Sequence, residues 1–170
     1  MSLEQHRAES QAALRFAVIT ISDTRDAASD RGGTLIVETL EAAGQRVTRR
    51  MLVKDEPHEI ERAVRECVAS AEVDLVLTTG GTGLAPRDVT VPTLEQMFES
   101  TIPGFGELFR ALSYREIGSA AILSRACAGV IGRRVVIALP GSPKALGLAL
   151  REIILPEAGH LVSQARGPAG

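Results

Sequence analysis

The sequence predicts a three-layer α/β domain, in which a mostly parallel sheet carries helices on both faces. Three observations lead there. Apolar, β-branched runs at Phe16–Ile21, Val73–Thr78 and Arg133–Leu139 read as strands buried on both faces. Amphipathic stretches separate them: Ile60, Val64, Cys67 and Val68 recur at i, i+4, i+7 and i+8. Polar turns, several rich in glycine, follow the strands, and in parallel α/β sheets ligands bind beyond the strands' carboxyl ends.

In chain order, residues 1–14 are polar and read as a flexible arm, and Phe16–Ile21 is strand one. A polar loop from Ser22 to Asp30 leads to a helix over 31–43, closed by Gly44 as a left-handed cap. Residues 46–53 form strand two, with Val47, Met51 and Val53 apolar. Pro57 suits the first turn of the next helix, and an acidic residue just before it caps the free amides. Strand three and the glycine loop follow. Helices are expected over 92–98 and 105–114, then strands over 122–130 and 133–139 joined around Ile131-Gly132. A last helix places Leu146, Ala149, Leu150 and Ile153 on one face. The domain is read as 15–164, with 165–170 a loose tail and no linker dividing the chain.

Composition bounds the function. The chain has 170 residues, 45% hydrophobic but only 3% aromatic, so its core is aliphatic. A net charge of −2 argues against a nucleic-acid-binding surface. The apolar stretches fall short of a membrane span, and the start lacks the layout of a signal peptide, so a cytoplasmic location is expected. Cys67 and Cys127 lack metal-type spacing, and Cys67 is expected to be a buried free thiol.

The most informative segment is Leu77-Thr-Thr-Gly-Gly-Thr-Gly-Leu-Ala-Pro-Arg-Asp88. It is neither a Walker A motif nor the dinucleotide fingerprint, which disfavours a flavin- or NAD-dependent protein. Its glycines allow backbone amides to crowd around an anion. Four polar motifs fall on one sheet edge if their strands are parallel: Ser22-Asp23 after strand one, Asp55 after strand two, Gly80-Gly81-Thr82-Gly83 after strand three, and Pro140-Gly141-Ser142-Pro143-Lys144 after the last strand. Thr82 and Ser142 add hydroxyls, and Lys144 adds a cation for a phosphate. Asp23, Asp55 and Asp88 would repel an anion unless Mg²⁺ stood between them, so the set reads as a magnesium–nucleotide or phosphorylated-metabolite site. Each residue also has a plainer reading: Asp23 as a loop-former, Asp55 as a helix cap, Asp88 as the partner of Arg87, Lys144 as a solvated helix residue, Ser124-Arg125 as structural.

Thr79-Gly-Gly-Thr-Gly83, Pro86-Arg-Asp-Val-Thr90, Ile102-Pro-Gly-Phe-Gly-Glu107, Ile122-Leu-Ser-Arg125 and Leu139-Pro-Gly-Ser-Pro-Lys144 resemble the MoaB/Mog family of molybdenum-cofactor biosynthesis proteins. The resemblance runs from strand one to the final helix. Phe109–Gly118 and Ser124–Gly129 are closer to the MoaB type than to the Mog type. The resemblance implies the molybdopterin-binding-domain fold, a trimer or hexamer, and molybdopterin adenylyltransferase activity. In that reaction AMP passes from Mg-ATP to molybdopterin and pyrophosphate is released. It further implies Asp55 and Asp88 as catalytic, Mg²⁺-holding residues, molybdopterin and ATP as ligands, and a molybdenum-insertion protein as partner. Some MoaB-type proteins lack the transferase activity, so the alternative is a non-catalytic molybdopterin-binding or scaffolding protein.

Overall fold

The computed structural model describes residues 13–167. A six-stranded sheet has the order β2-β1-β3-β6-β5-β4. Its strands are β1 (Arg15–Ile21), β2 (Arg46–Val53), β3 (Leu75–Thr79), β4 (Ser100–Thr101), β5 (Cys127–Ile131) and β6 (Arg134–Leu139). The first four in spatial order are mutually parallel, while β5 adds antiparallel to β6 and β4 antiparallel to β5. The helices are α1 (Arg31–Ala42), α2 (Pro57–Ala69), α3 (Thr90–Met97), α4 (Pro103–Ile117), α5 (Pro143–Ala149) and α6 (Leu155–Arg166). A π-helical turn, Leu150–Ile154, joins α5 to α6, and a 3₁₀ segment, Gly118–Leu123, follows α4.

The expected three layers are present. Side chains of β1 alternate between two cores: Phe16 and Val18 face Ile36, Leu40, Leu146 and Ile153, whereas Ala17 and Ile19 face Ile60, Val64, Cys67 and Leu94. Because β1, β3 and β6 are covered on both sides, they read as continuous apolar runs.

Two expectations change. Residues 122–130 are not one strand. Ile122 and Leu123 end the 3₁₀ segment, 82% and 60% exposed, and pairing begins only at Cys127. Within the paired segment 127–131, Gly129 lies under the Phe98 ring, which a Cβ at that position would overlap. At the other end, residues 165 and 166 are helical, with Arg166 donating to Asp74. Residues 168–170 lie outside the described residues, as does the proposed arm except for Ala13 and Leu14. The Leu14 amide is tied to Gln45 Oε1 at 2.8 Å.

Asp74, before β3, closes the edge of the sheet opposite the strands' carboxyl ends. It accepts from the Arg15 amide at 2.8 Å, from Arg15 Nε at 3.1 Å and Nη2 at 2.8 Å, and from Arg166. Burial opposes its ionisation, but the Arg15 hydrogen bonds and the charges of Arg15 and Arg166 outweigh that and hold it below the usual carboxylate range. Its stabilisation is therefore complete above the unfolded-chain pKa, about 4, and is lost as pH falls through the lower native value. Asp74→Ala should cost about 2–3 kcal/mol at neutral pH, and the gap from the parent should shrink in acid. Urea unfolding at pH 7 and pH 3 measures both.

Candidate active site

The four parallel strands bring their carboxyl ends to one edge, and the polar motifs meet there. Past β1, Ser22 Oγ accepts from the amides of Thr24 at 3.3 Å and Arg25 at 3.2 Å, turning the chain back over the edge. Past β2, the Asp55 amide donates to Asp23 Oδ1 at 3.1 Å. Past β3, Gly80 and Gly81 adopt φ of +100° and +63°. A side chain at Gly80 would overlap the Ile21 carbonyl, and one at Gly81 would overlap Asp55 Oδ1 and Thr90 Oγ1. The glycines are thus required by crowding inside the protein, before any ligand is considered. The loop closes when the Thr90 amide donates to Gly81 O at 3.0 Å and Arg125 Nη1 to Gly83 O at 2.8 Å. Past β6, Pro140 O accepts from Thr79 Oγ1 at 3.0 Å, seating Gly141 beside Gly80.

Ser22, Asp55, Gly80, Gly81, Thr82, Gly83, Asp88 and Gly141 line a pocket of about 310 Å³. Asp23 lies behind it rather than in its lining. Arg87 donates to both Asp23 oxygens, from Nε at 2.6 Å and from Nη2 at 3.1 Å, and pairs with Glu56 at 2.9 Å. That hydrogen bonding, opposed by some burial, holds the Asp23 carboxyl below its ordinary range. Arg87 is therefore not the partner of Asp88, whose Oδ2 lies 2.6 Å from the position a Gly83 Cβ would take. Pro140, Ser142 and Lys144 belong to an adjoining pocket of about 250 Å³, which shares Thr82 and Gly83 with the first and is walled by Phe109, Ile117, Leu123 and Leu148. Lys144 pairs with Glu116 at 3.6 Å on its exposed rim.

Asp55 is not a helix cap. The cap position of α2 is Glu56, which makes no side-chain cap bond. Asp55 Oδ1 is instead buried with no hydrogen-bond partner among the described residues, as is Thr90 Oγ1 against the same glycine. Burial, then the charges of Asp23 and Asp88, push the Asp55 carboxyl above its usual range, with Arg87 only partly compensating. Two orphaned oxygens turned toward one point, beside a second carboxylate, fit a hard cation that takes one or two protein carboxylates and completes its shell with water and phosphate oxygens. The described residues hold no group of three or more His, Cys, Asp or Glu side chains arranged to bind a metal, so any Mg²⁺ here would depend on such outside ligands.

Sequence reasoning missed three contributors. Arg25 lines the acidic pocket from the loop after β1. Thr90 supplies the second orphaned oxygen, although it lies in the Pro-Arg-Asp-Val-Thr run. Asp30, buried, caps α1 through Gly33 N at 2.9 Å and accepts from Thr20 Oγ1 at 2.8 Å and Arg50 at 3.1 Å. An aspartate just before Arg-Gly-Gly was a legible helix-start signal for it.

Residues 17–160 match a family model described as a probable molybdopterin binding domain. Molybdenum cofactor biosynthesis protein B of Bacillus cereus is 46% identical over 162 residues, covering 95% of this chain and 96% of that protein. A crystal structure of a molybdenum cofactor biosynthesis protein B superposes with a TM-score of 0.88 at 47% identity, over 90% of this chain and 96% of the other. The tungsten cofactor synthesizing protein MoaB of Pyrococcus furiosus superposes with a TM-score of 0.82 at 38% identity, over 92% and 99%.

A carboxyl whose native pKa is raised destabilises the fold progressively as pH climbs from about 4 through that raised value. Asp55→Asn, which removes the buried charge, should therefore melt higher than the parent at pH 7 in the absence of metal. The advantage should vanish below pH 4, where the parent's Asp55 is protonated. Thermal melts across that range supply the measurement.

Proposed function

Given that the chain belongs to the MoaB/Mog family of molybdenum-cofactor biosynthesis proteins, we propose that it transfers AMP from Mg-ATP to molybdopterin and releases pyrophosphate. One observation carries the catalytic part of this reading: Asp55 Oδ1 and Thr90 Oγ1 are buried, unpartnered among the described residues and turned to the same point of the glycine loop, beside Asp88. Leaving polar groups so placed costs stability, and such cost concentrates where a ligand or cation makes use of it.

In the proposed reaction an oxygen of the pterin's phosphate attacks the α-phosphorus of ATP. A new P–O bond forms as the α–β bridging P–O bond breaks, and the bridge oxygen leaves with its electron pair on pyrophosphate. A phosphate monoester has a second pKa near ~6, so the nucleophile is largely ionised at neutral pH and no general base is needed. Alignment and charge neutralisation are needed. Asp55 and Asp88 would hold the Mg²⁺, which supplies charge screening between the two anions. The Gly80–Gly83 loop orients the phosphates through its backbone. The adjoining pocket, apolar except at its rim, suits the flat pterin, with Thr82 and Gly83 linking the two compartments.

We further propose a homotrimer, or two trimers joined as a hexamer. Leu108, Tyr114, Ile117, Ile122 and Leu123 leave an apolar face on and after α4, each 48% exposed or more, which association would cover. Light scattering at micromolar concentration should give three or six times the chain mass.

With molybdopterin and Mg-ATP, the purified protein should release pyrophosphate. Asp55→Asn and Asp88→Asn should each slow turnover at least about a hundredfold while remaining folded, since every 1.4 kcal/mol or so of lost transition-state stabilisation costs tenfold. Binding of molybdopterin with no pyrophosphate release by the parent would instead identify a non-catalytic pterin carrier.

A further inference from the structure

We propose that Arg25, with the groove it opens onto, binds the polyphosphate tail of the nucleotide and carries the charge that builds on the departing pyrophosphate. The proposal rests on the adenylyl-transfer reading and assigns it a residue that the sequence did not single out.

Arg25 is placed by the turn that Ser22 Oγ closes through the Thr24 and Arg25 amides. Its guanidinium lies over the first turn of α1: a Cβ at Gly32 would sit 3.6 Å from Arg25 Nη1 and 3.8 Å from Gly141 O. The side chain is half-buried, yet among the described residues it makes no ion pair and no hydrogen bond. Nearby carboxylates are committed elsewhere. Asp26 accepts from the amides of Ala28 at 3.1 Å and Ser29 at 2.9 Å and from Ser29 Oγ at 2.7 Å. Asp23 is held by Arg87, and Asp30 by Thr20, Gly33 and Arg50. A guanidinium carries five donors, and leaving all of them unused in a half-buried position points to a missing anion.

The surroundings indicate which anion. Thr24, Arg25 and Gly141 line both the Asp55–Asp88 pocket and a larger groove of about 830 Å³ that continues past Ser29 and Arg31. Arg31, exposed on the same groove, also makes no ion pair among the described residues. A linear polyanion whose first phosphate sat between Asp55 and Asp88 would run out past Arg25 toward Arg31. When the α–β bridging bond breaks, the electron pair moves onto the bridge oxygen of the β-phosphate, the side of the molecule that this path brings toward Arg25. A preorganised cation at the point of charge development assists the transfer more than it assists ground-state binding.

Calorimetric titration of the parent protein, Arg25→Ala and Arg25→Lys with Mg-ATP, magnesium pyrophosphate and AMP tests this directly, with thermal melts confirming the fold. Arg25→Ala should weaken Mg-ATP and pyrophosphate by about ten- to a hundredfold and leave AMP unchanged, as loss of a charged hydrogen-bonding group requires. Arg25→Lys should recover part of the loss and, if the alanine variant does not fold, takes its place in the comparison. Equal Mg-ATP affinity in the parent and the folded variants would overturn the role of Arg25 while leaving adenylyl transfer intact. A parent that binds neither Mg-ATP nor pyrophosphate would overturn both.

Discussion

Crowding at Gly80 and Gly81 is the constraint on which the site depends. At the end of β3 the backbone passes so close to Ile21 O on one side, and to Asp55 Oδ1 and Thr90 Oγ1 on the other, that neither position has room for a Cβ. Both residues also need positive φ. The loop is therefore rigid from within, and its amides are held at the sheet edge by the same contacts that confine Asp55. Glycine here does not confer flexibility; it lets three strand ends close on one point.

Charge is sorted around that point. Asp23, Asp30 and Asp74 are satisfied by arginines and backbone amides, and their ionised forms are favoured despite burial. Asp55 has the opposite balance, because burial and two neighbouring carboxylates act against its charge. Nearby cations are placed accordingly: Arg87 clamps Asp23 and Glu56, and Arg25 makes no ion pair among the described residues. The structure thus separates carboxylates that hold the fold from one kept under electrostatic stress, an arrangement typical of sites that receive a cation or a reacting group.

The antiparallel extension of the sheet has its own purpose. By adding β5 and β4 beyond β6, the chain carries α4 and the 3₁₀ segment to the side of the glycine loop, where they wall the apolar pocket next to the acidic one. Arg125, just before β5, reaches back to Gly83 O and fastens the partition between the two. One compartment suits charge and the other suits an apolar ring, and Thr82 and Gly83 border both.

The sequence by itself determined the layers and the edge. Strands buried on both faces show as unbroken apolar runs, parallel strands share a carboxyl edge, and so the chain order alone puts Ser22, Asp55, the glycine loop and Gly141 together. Local patterning carries that information because period and turn chemistry act over a few residues. Only the tertiary structure decided which carboxylates are free. Asp55 is an acceptable cap by its position before Glu56-Pro57, and Asp88 is an acceptable partner for the adjacent Arg87. Their real environments come from Thr90, Gly81 and Asp23, which are distant in sequence or on other elements. The same holds for Arg25, whose lack of a partner among the described residues is a property of everything packed around it, and for 122–123, apolar residues that end a 3₁₀ segment and stay exposed. Hydrogen-bond satisfaction and desolvation are sums over all neighbours in space, and a linear chain does not display them.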